Sequence, residues 1–210
     1  MINRGRLITF EGGDGCGKST QLKLTADWLR GKGKDVLETR QPGATALGIE
    51  IRCLLLSGAF VPVPECELLL FLADRAQHVQ EVIKPALENG QWVLCDRYSD
   101  STQAYQLAAR GLAAAVDLKP MLAFAEAGCV PQQTFWLDVP AEIALKRVRA
   151  RTNMGAESTR LDEEALSFHE RVHAAFMEIC QQYSERMVRL DAAKNVEEIQ
   201  KQIQKYLEVS

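Results

Sequence analysis

The chain has 210 residues, of which 47% are hydrophobic and 25% charged. This composition is typical of a folded domain that buries about 70% of its surface. Lys and Arg total 25 against 28 Asp and Glu, and the net charge of −3 argues against a general nucleic-acid binder, which needs a basic excess. The longest apolar run, Leu68 to Ala73, is far shorter than the roughly 18 residues that span a bilayer. Leu7 to Phe10 is too short for the apolar part of a signal peptide. We therefore expect one cytoplasmic domain, residues 1–210, that binds neither nucleic acid nor membrane.

Short apolar runs alternate along the chain with longer amphipathic segments. The short runs are predicted to be strands buried on both faces: Leu7–Phe10, Val36–Arg40, Trp92–Cys95, Thr134–Leu137 and Met187–Leu190. The longer segments are predicted to be helices: Lys18–Arg30, Leu47–Leu56, Glu65–Lys84, Thr102–Arg110, Ala141–Arg151, Asp162–Tyr183 and Val196–Leu207. Asp117 and Asn195 are candidate N-caps. The weakest pattern lies in Gly111–Val130. The alternation predicts an α/β fold with a parallel sheet covered by helices on both sides.

The cysteines do not form a metal or disulfide pattern. Cys16, Cys53, Cys66, Cys95, Cys129 and Cys180 are scattered without a C-x-x-C pair. They are predicted to be reduced thiols that fill small gaps in the core, so neither a disulfide nor structural zinc is expected.

A glycine-rich loop follows the first predicted strand. Its sequence, Gly12-Gly13-Asp14-Gly15-Cys16-Gly17-Lys18-Ser19, fits G-x-x-x-x-G-K-[ST] between a strand and a helix. Glycines let the backbone turn its N–H groups inward toward phosphate oxygens, and the next helix adds its positive N-terminal end. Lys18 is expected to neutralise the β and γ phosphates, and the Ser19 hydroxyl to bind Mg²⁺. A plain glycine-rich turn is the alternative, but the flanking strand and helix favour a nucleoside triphosphate site.

Asp96 and Arg97 come directly after the third predicted strand. A carboxylate at the carboxyl edge of a parallel sheet can reach a metal ion or its waters, although such a residue can also do no more than cap a helix. The planar Arg97 side chain suits a bidentate phosphate contact. Because the glycine-rich loop lies at the same edge, the metal interpretation is preferred.

A second set of residues could line a pocket for a base. In the helix Glu65–Lys84, an apolar stripe of Leu68, Leu72, Ala76, Val79 and Ile83 is predicted to face the core. Phe71, Arg75 and His78 form a neighbouring stripe, in which a ring could stack on a base and a guanidinium could donate to it. The alternative is a core Phe71 beside a surface Arg75 and His78. Thr102, Tyr105 and Gln106 are spaced to share one face of the next helix, and an amide can read a base edge.

Four segments together resemble the bacterial thymidylate kinases, nearly from end to end. They are Phe10–Thr20 (FEGGDGCGKST), Thr39–Thr45 (TRQPGAT), Leu69–His78 (LLFLADRAQH) and Asp96–Gln106 (DRYSDSTQAYQ), the last followed by Arg110-Gly111. The resemblance implies a three-layer fold of the P-loop NTPase type, with a five-stranded parallel sheet and a mobile lid at about 147–160. It also implies transfer of the γ-phosphoryl group of ATP to dTMP with Mg²⁺, giving dTDP and ADP, by a homodimer.

The resemblance further implies roles for single residues. The triphosphate site would consist of Gly12, Gly13, Asp14, Gly15, Cys16, Gly17, Lys18, Ser19 and Thr20, with Mg²⁺ at Ser19 and Asp96. Phe71 would stack on thymine, Arg75 would bond its carbonyl, and Thr102 and Gln106 would contact its polar edge. Arg40, Arg52 and Arg97 would lie at the monophosphate, Asp14 at the 3′-hydroxyl, and Tyr105 where a ribose 2′-hydroxyl would be. Lys18, Asp96, Arg97 and the lid arginines Arg147, Arg151 and Arg160 would stabilise the transition state.

The lid prediction rests on a difference within the family. Eukaryotic members have an arginine in the loop where this chain has Gly15, so the chain resembles bacterial members that supply arginines from a lid. Asn153, Gly155 and Ser158 suit a mobile loop. Read alone, the arginines would be solvated surface residues.

The chain departs from the family pattern at Gln41, Ala44, Leu107 and Thr159, where Glu, Gly, Gly and Asp are usual. Loss of the Glu charge at Gln41 could weaken the placement of Arg40 or of a water bound to Mg²⁺. Two other function classes stay open. One is a kinase for another small acceptor, and the other is a nucleotide-binding switch without turnover.

A zinc-protease signature, H-E-x-x-H, occurs at His169-Glu170-Arg171-Val172-His173. A third protein ligand would be needed, and the only other histidine is His78. The segment is therefore interpreted as the solvated face of an amphipathic helix.

Overall fold

The sheet of the computed structural model, which describes residues 5–155 and 159–209, places the glycine-rich loop at its centre. Its five parallel strands are β1 (Arg6–Glu11), β2 (Val36–Arg40), β3 (Trp92–Asp96), β4 (Gln133–Asp138) and β5 (Met187–Asp191). They lie in the order β2-β3-β1-β4-β5. The predicted parallel sheet is confirmed, and each predicted strand end lies within one residue of the observed one. Because β1 is central, the loop after it emerges between the carboxyl ends of β3 and β4.

Helices connect the strands. The α-helices are α1 (Lys18–Gly31), α2 (Ala46–Leu56), α3 (Pro64–His78), α4 (Lys84–Glu88), α5 (Ser99–Thr102), α6 (Leu118–Glu126), α7 (Ala141–Asn153), α8 (Leu166–Gln182) and α9 (Val196–Val209). π-Helical segments continue α3 over Val79–Ile83 and α5 over Gln103–Ala109, and a short 3₁₀ turn covers Leu112–Ala114. The predicted N-caps are confirmed: Asp117 accepts a hydrogen bond from the Lys119 N–H and Asn195 from the Glu198 N–H.

Two predicted helix starts are wrong. The helix predicted from Thr102 begins earlier, at Ser99, and becomes π-helical at Gln103. The helix predicted from Asp162 begins only at Leu166. Asp162 instead closes a turn, because its Oδ2 accepts hydrogen bonds of 2.9 Å from both the backbone N–H and the hydroxyl of Thr159.

The core lies on both faces of the central strands. Leu68, Leu72, Val79 and Ile83 are buried as predicted. The prediction that all strands are buried on both faces is wrong for β2 and β5, because these edge strands alternate between covered and accessible residues.

The prediction that the cysteines fill core gaps is wrong for Cys53 and Cys66, which are exposed. Among the described residues, none of the helices is both long and apolar enough to cross a membrane.

Candidate active site

The glycine-rich loop between β1 and α1 depends on glycine at specific positions. Gly12, Gly15 and Gly17 have positive φ values of 133°, 79° and 99°. A Cβ atom on Gly15 would also lie only 2.5 Å from the carbonyl oxygen of Ala144. Only glycine adopts such a conformation in so close a contact without strain.

The Lys18 ammonium group folds back onto this loop. Its Nζ donates to the carbonyl oxygens of Gly12 at 3.2 Å and Gly13 at 2.8 Å, and the side chain is buried. The next residue, Ser19, donates its hydroxyl to Oδ2 of Asp96 at 2.7 Å. The loop thus presents a cation and, beside it, a pair of oxygen ligands.

Arg97 connects the loop to the end of β3. Its Nη2 lies 2.7 Å from Oδ1 of Asp14 and 3.1 Å from the Tyr105 hydroxyl, and its Nη1 donates to the Gly12 carbonyl. Burial raises the pKa of Asp14, but the charges of Arg97 and Lys18 lower it by more. The net pKa of Asp14 is therefore well below the usual range.

A buried carboxylate, Glu11, holds the turn that carries Arg97. It accepts hydrogen bonds from the Tyr98 N–H at 2.7 Å and from the Ser101 hydroxyl. Arg97 itself has a φ of 69°, which is uncommon for a residue other than glycine. Burial, followed by the negative charge of Asp100, raises the pKa of Glu11 to about 7. The Glu11 contacts hold the segment that directly follows Arg97.

Three guanidinium groups converge at one end of the site. Arg40 ends β2, Arg52 lies on α2 and donates to the Pro42 carbonyl at 3.1 Å, and Arg97 follows β3. Burial lowers the pKa of Arg52, and the charges of Arg40 and Arg97 lower it further. Positive charges held this close favour an anion between them.

The residues predicted to line a base pocket lie around one cavity, and the polar ones among them are buried. Arg75 is 2% exposed and His78 0%, so the alternative in which both lie on the surface is wrong. Arg75 donates from Nε to Gln41 at 3.0 Å and from Nη1 to the Thr102 hydroxyl at 2.9 Å. The half-buried ring of Phe71 lines the same space. A ring, a guanidinium and a hydroxyl therefore face one cavity.

Gln106 also lines this cavity, and its amide Nε2 donates to Oε1 of Glu67 at 2.9 Å. Glu67 is buried and additionally accepts hydrogen bonds from Arg110 and Arg160. Sequence reasoning missed Glu67. The signal that could have found it is its i, i+4, i+8 spacing with Phe71 and Arg75 along α3.

The predicted lid arginines lie in different surroundings. Arg151 lines the cleft. Arg147 is exposed and donates to the Ala192 carbonyl at 3.1 Å, and Arg160 is bound to Glu67 and to the Leu55 carbonyl. The structure does not bring Arg147 or Arg160 to the cleft. Residues 156–158 of the predicted lid, including Ser158, lie outside the described residues.

Three of the residues that depart from the family pattern contact defined neighbours in the structure. Gln41 bonds Arg75 and His78 rather than Arg40. Leu107 packs against the apolar cluster that contains Leu68, and Thr159 closes the turn with Asp162.

The zinc signature lies on α8, next to Asp138. His173 Nε2 is 2.6 Å from the Asp138 carboxylate, and His169 is buried. The interpretation as a solvated face is therefore wrong for His169, although Glu170 and Arg171 are exposed. Within residues 5–155 and 159–209, no group of three or more His, Cys, Asp or Glu side chains is arranged to hold a metal ion.

One cleft of about 520 Å³ joins the loop to the base pocket. Its lining includes Asp14, Gly15, Gly17, Lys18, Ser19, Thr20, Arg40, Arg52, Phe71, Arg75, Asp96, Arg97, Thr102, Tyr105, Gln106 and Arg151. A phosphate donor on the loop and an acceptor in the pocket would share this space.

Comparison with known proteins agrees with this geometry. The thymidylate kinase family profile matches residues 10–203. The thymidylate kinase of Carboxydothermus hydrogenoformans is 46% identical over 205 residues, which cover 98% of this chain and 98% of the relative. That of Gloeobacter violaceus is 44% identical over 202 residues, covering 96% and 94%. A crystal structure of thymidylate kinase from Ehrlichia chaffeensis has a TM-score of 0.75 and 29% identity, over 97% of this chain and 99% of that one. A chain that this family profile matches over residues 10–203, with relatives up to 46% identical over nearly its whole length, belongs to the thymidylate kinase family.

Proposed function

We propose that the cleft holds the triphosphate of ATP on the glycine-rich loop and dTMP in the pocket of Phe71, Arg75, Thr102 and Gln106. The γ-phosphoryl group of ATP then passes to the dTMP phosphate, and the products are dTDP and ADP. The observation that carries the proposal is the single cleft, which is lined both by the loop and by the base pocket. Family membership supports the same reaction, a step of dTTP synthesis.

The acceptor is positioned from three sides. In this proposal Phe71 stacks on thymine, Arg75 donates to a ring carbonyl, and Thr102 and Gln106 meet its polar edge. Arg40, Arg52 and Arg97 hold the monophosphate, which relieves their mutual repulsion. Asp14 takes the 3′-hydroxyl, and Tyr105 fills the place where a ribose 2′-hydroxyl would extend.

The donor set at Ser19 and Asp96 fits Mg²⁺. A hydroxyl and a carboxylate oxygen 2.7 Å apart are hard oxygen ligands, the type that Mg²⁺ prefers when it is shared with phosphate. Bound there, Mg²⁺ would offset negative charge on the phosphate oxygens. The Ser19 hydroxyl donates to Asp96, and this contact keeps both side chains at the mouth of the loop.

Phosphoryl transfer requires alignment and charge neutralisation rather than a protein nucleophile. Lys18 sits at the loop, where it would meet the β and γ phosphates, and Arg97 lies between the loop and the acceptor end. Arg151 lines the cleft and is the predicted lid arginine best placed to add charge. In this proposal Arg147 and Arg160 would join only after leaving their present partners, Ala192 and Glu67.

We further propose that residues 1–210 act as one domain and that two copies form a homodimer. Large apolar side chains are exposed on α2, α3 and α6, including Leu47, Ile49, Leu69 and Phe124. Helix α3 packs against both α2 and α6, so these side chains lie on neighbouring elements. An apolar surface of this kind commonly marks an interface.

We also propose that the enzyme works in the cytoplasm. The support is its cysteine chemistry, since the six cysteines carry free thiols. Free thiols persist in reducing compartments.

The test is release of ADP in a coupled assay with ATP, with and without Mg²⁺, and with dTMP, dUMP, dCMP, AMP or shikimate as acceptor. We expect Mg²⁺-dependent turnover with dTMP as the best acceptor. Lys18→Ala should lower kcat by about 10³-fold or more, which is the scale for loss of a cation that stabilises this transition state. Lys23→Ala is the matched control, because Lys23 is exposed on the same helix.

Each outcome separates the proposal from its alternatives. Better turnover with another acceptor would indicate a kinase of different specificity. ATP binding without acceptor-dependent turnover would indicate a nucleotide switch. A Lys18→Ala variant within twofold of the unchanged protein would contradict the role given to Lys18.

A further inference from the structure

We infer that Glu67 is a positioning residue that fixes which end of the Gln106 amide faces the base, and so helps to select a base with a ring N–H. Glu67 does not line the cleft, and the cleft residue that it contacts is Gln106. The inference rests on the proposed placement of dTMP in this pocket.

The chemistry of its contact with Glu67 fixes the orientation of the Gln106 amide. A carboxylate can only accept hydrogen bonds, so the group of Gln106 that faces Glu67 has to be the Nε2 donor. The reverse orientation would place the amide oxygen against a carboxylate oxygen. With Nε2 donating to Glu67 Oε1 at 2.9 Å, Gln106 retains its Oε1 acceptor and a second N–H for a ligand.

Glu67 remains ionised because two arginines surround it. Arg110 donates to both carboxylate oxygens, at 3.1 and 3.2 Å, and Arg160 forms a further ion pair with Oε2. Burial raises the pKa of Glu67, but the hydrogen bonds from Arg110, Gln106 and Arg160 lower it by more, and the net direction is downward. A protonated, donating Glu67 is therefore disfavoured, and the acceptor character that orients Gln106 is retained.

The consequence is a preference among pyrimidines. Thymine and uracil have an N–H between two ring carbonyls, which can donate to the Gln106 oxygen. Cytosine has a bare ring nitrogen at that position. If Phe71 and Arg75 keep the base in the place proposed for thymine, this nitrogen and the Gln106 oxygen would be two acceptors facing each other unless the amide turned. Turning it would break the contact with Glu67, and a buried polar group left without a partner is costly. Glu67 should thus disfavour dCMP without separating dTMP from dUMP.

The experiment compares kcat/KM for dTMP and dCMP in two variants. Glu67→Asp keeps the charge beside the arginines but withdraws the carboxylate from Gln106, and Glu67→Gln lets the two amides pair in either orientation. We expect the dTMP-to-dCMP ratio of kcat/KM to fall about tenfold in both, the equivalent of one buried hydrogen bond. Most of the change should be in KM.

The matched control is Glu164→Gln. Glu164 pairs with the same two arginines, Arg110 and Arg160, whereas the Gln106 amide donates to Glu67. The Glu164→Gln variant should lower the free energy of unfolding without changing the dTMP-to-dCMP ratio of kcat/KM. If Glu67 mattered only for the charge balance of this cluster, Glu164→Gln would shift the ratio as well, and the inference would be overturned.

A double-mutant cycle with Gln106→Leu tests whether Glu67 affects base selection through Gln106. In the Gln106→Leu background, Glu67→Asp should leave the dTMP-to-dCMP ratio unchanged, because the residue it acts through is absent. A further fall in that background, or an unchanged ratio in a folded Glu67→Asp protein, would overturn the inference. Failure of the unchanged enzyme to phosphorylate dTMP would instead reject the proposed function.

Discussion

The Arg75 guanidinium is held on two sides by protein side chains, Gln41 and Thr102. Gln41 Oε1 accepts from Arg75 Nε, which leaves Gln41 Nε2 to face Nδ1 of His78 at 2.9 Å. His78 Nδ1 must therefore accept, and its Nε2 carries the proton and donates to the Thr39 hydroxyl at 2.7 Å. A glutamate at position 41 could not donate to His78 and would require a different histidine proton arrangement. The amide of Gln41 suits a neutral His78.

The buried His78 should make folding stability depend on pH. Burial and, after it, the charge of Arg75 lower the pKa of His78 to about 4. Because the unfolded chain takes up the proton near pH 6.5, the His78 contribution is present above that pH and is lost as the pH falls toward 4. Unfolding measured by denaturant should show the gap between the unchanged protein and His78→Gln shrinking by roughly 3 kcal/mol over this window.

Comparison with the variant at each pH is necessary because Glu11 acts in the opposite direction. Its pKa is raised to about 7, so its contribution to stability is present below pH 4.5 and is lost as the pH rises through 7. The opposite pH dependences of the His78 and Glu11 contributions to folding stability partly cancel in the unchanged protein. A stability gap to His78→Gln that stays constant from pH 7.5 to pH 4 would contradict the assignment to His78.

At the scale of single elements, the loop after β1 and the π-helical segment after α5 shape the cleft. The π-helical turns over Gln103–Ala109 change the residue spacing from that of an α-helix. Tyr105 and Gln106, which are neighbours in sequence, both line the cleft and are both buried. Tyr105 then faces Asp14 while Gln106 faces Glu67.

Glycine substitutions in the loop should distinguish the constrained position 15 from the unconstrained position 13. Gly15→Ala places a Cβ 2.5 Å from the Ala144 carbonyl at a φ of 79°, so we expect a loss of about 1–3 kcal/mol in the free energy of unfolding. Gly13→Ala is the control, because a Cβ there has no neighbouring protein atom within 4 Å. Denaturant unfolding measures both, and equal losses in the two variants would contradict the claim of strain at Gly15.

For the whole molecule, the apolar surface on α2, α3 and α6 predicts the oligomeric state. Sedimentation of the unchanged protein should give twice the chain mass of 23.4 kDa. Leu69→Glu, on the central helix of that surface and 57% exposed, should shift the protein to the monomer, because a charge buried at an interface without a partner is unfavourable.

The control for the dimer prediction is Ile143→Glu. Ile143 is 38% exposed but lies on α7, away from that group of helices, so this variant should remain dimeric. A monomer from the unchanged protein at micromolar concentration, or dissociation by Ile143→Glu alone, would contradict this interface.

Features that depend on neighbouring residues in the chain could be predicted from the sequence alone. Apolar runs and their spacing predicted every strand to within one residue. The glycine-rich motif predicted a tight loop between β1 and α1, because glycines at fixed intervals act over one short stretch of backbone. Which distant side chains meet depends instead on the tertiary fold. The burial of Arg75 and His78, the pairing of Gln106 with Glu67, and the placement of Arg160 on Glu67 rather than in the cleft all depend on how α3 packs against its neighbours. A buried charge needs a partner, because an unpaired buried charge is costly. The packing of the helices decides which residue, from a segment far away in the chain, becomes that partner.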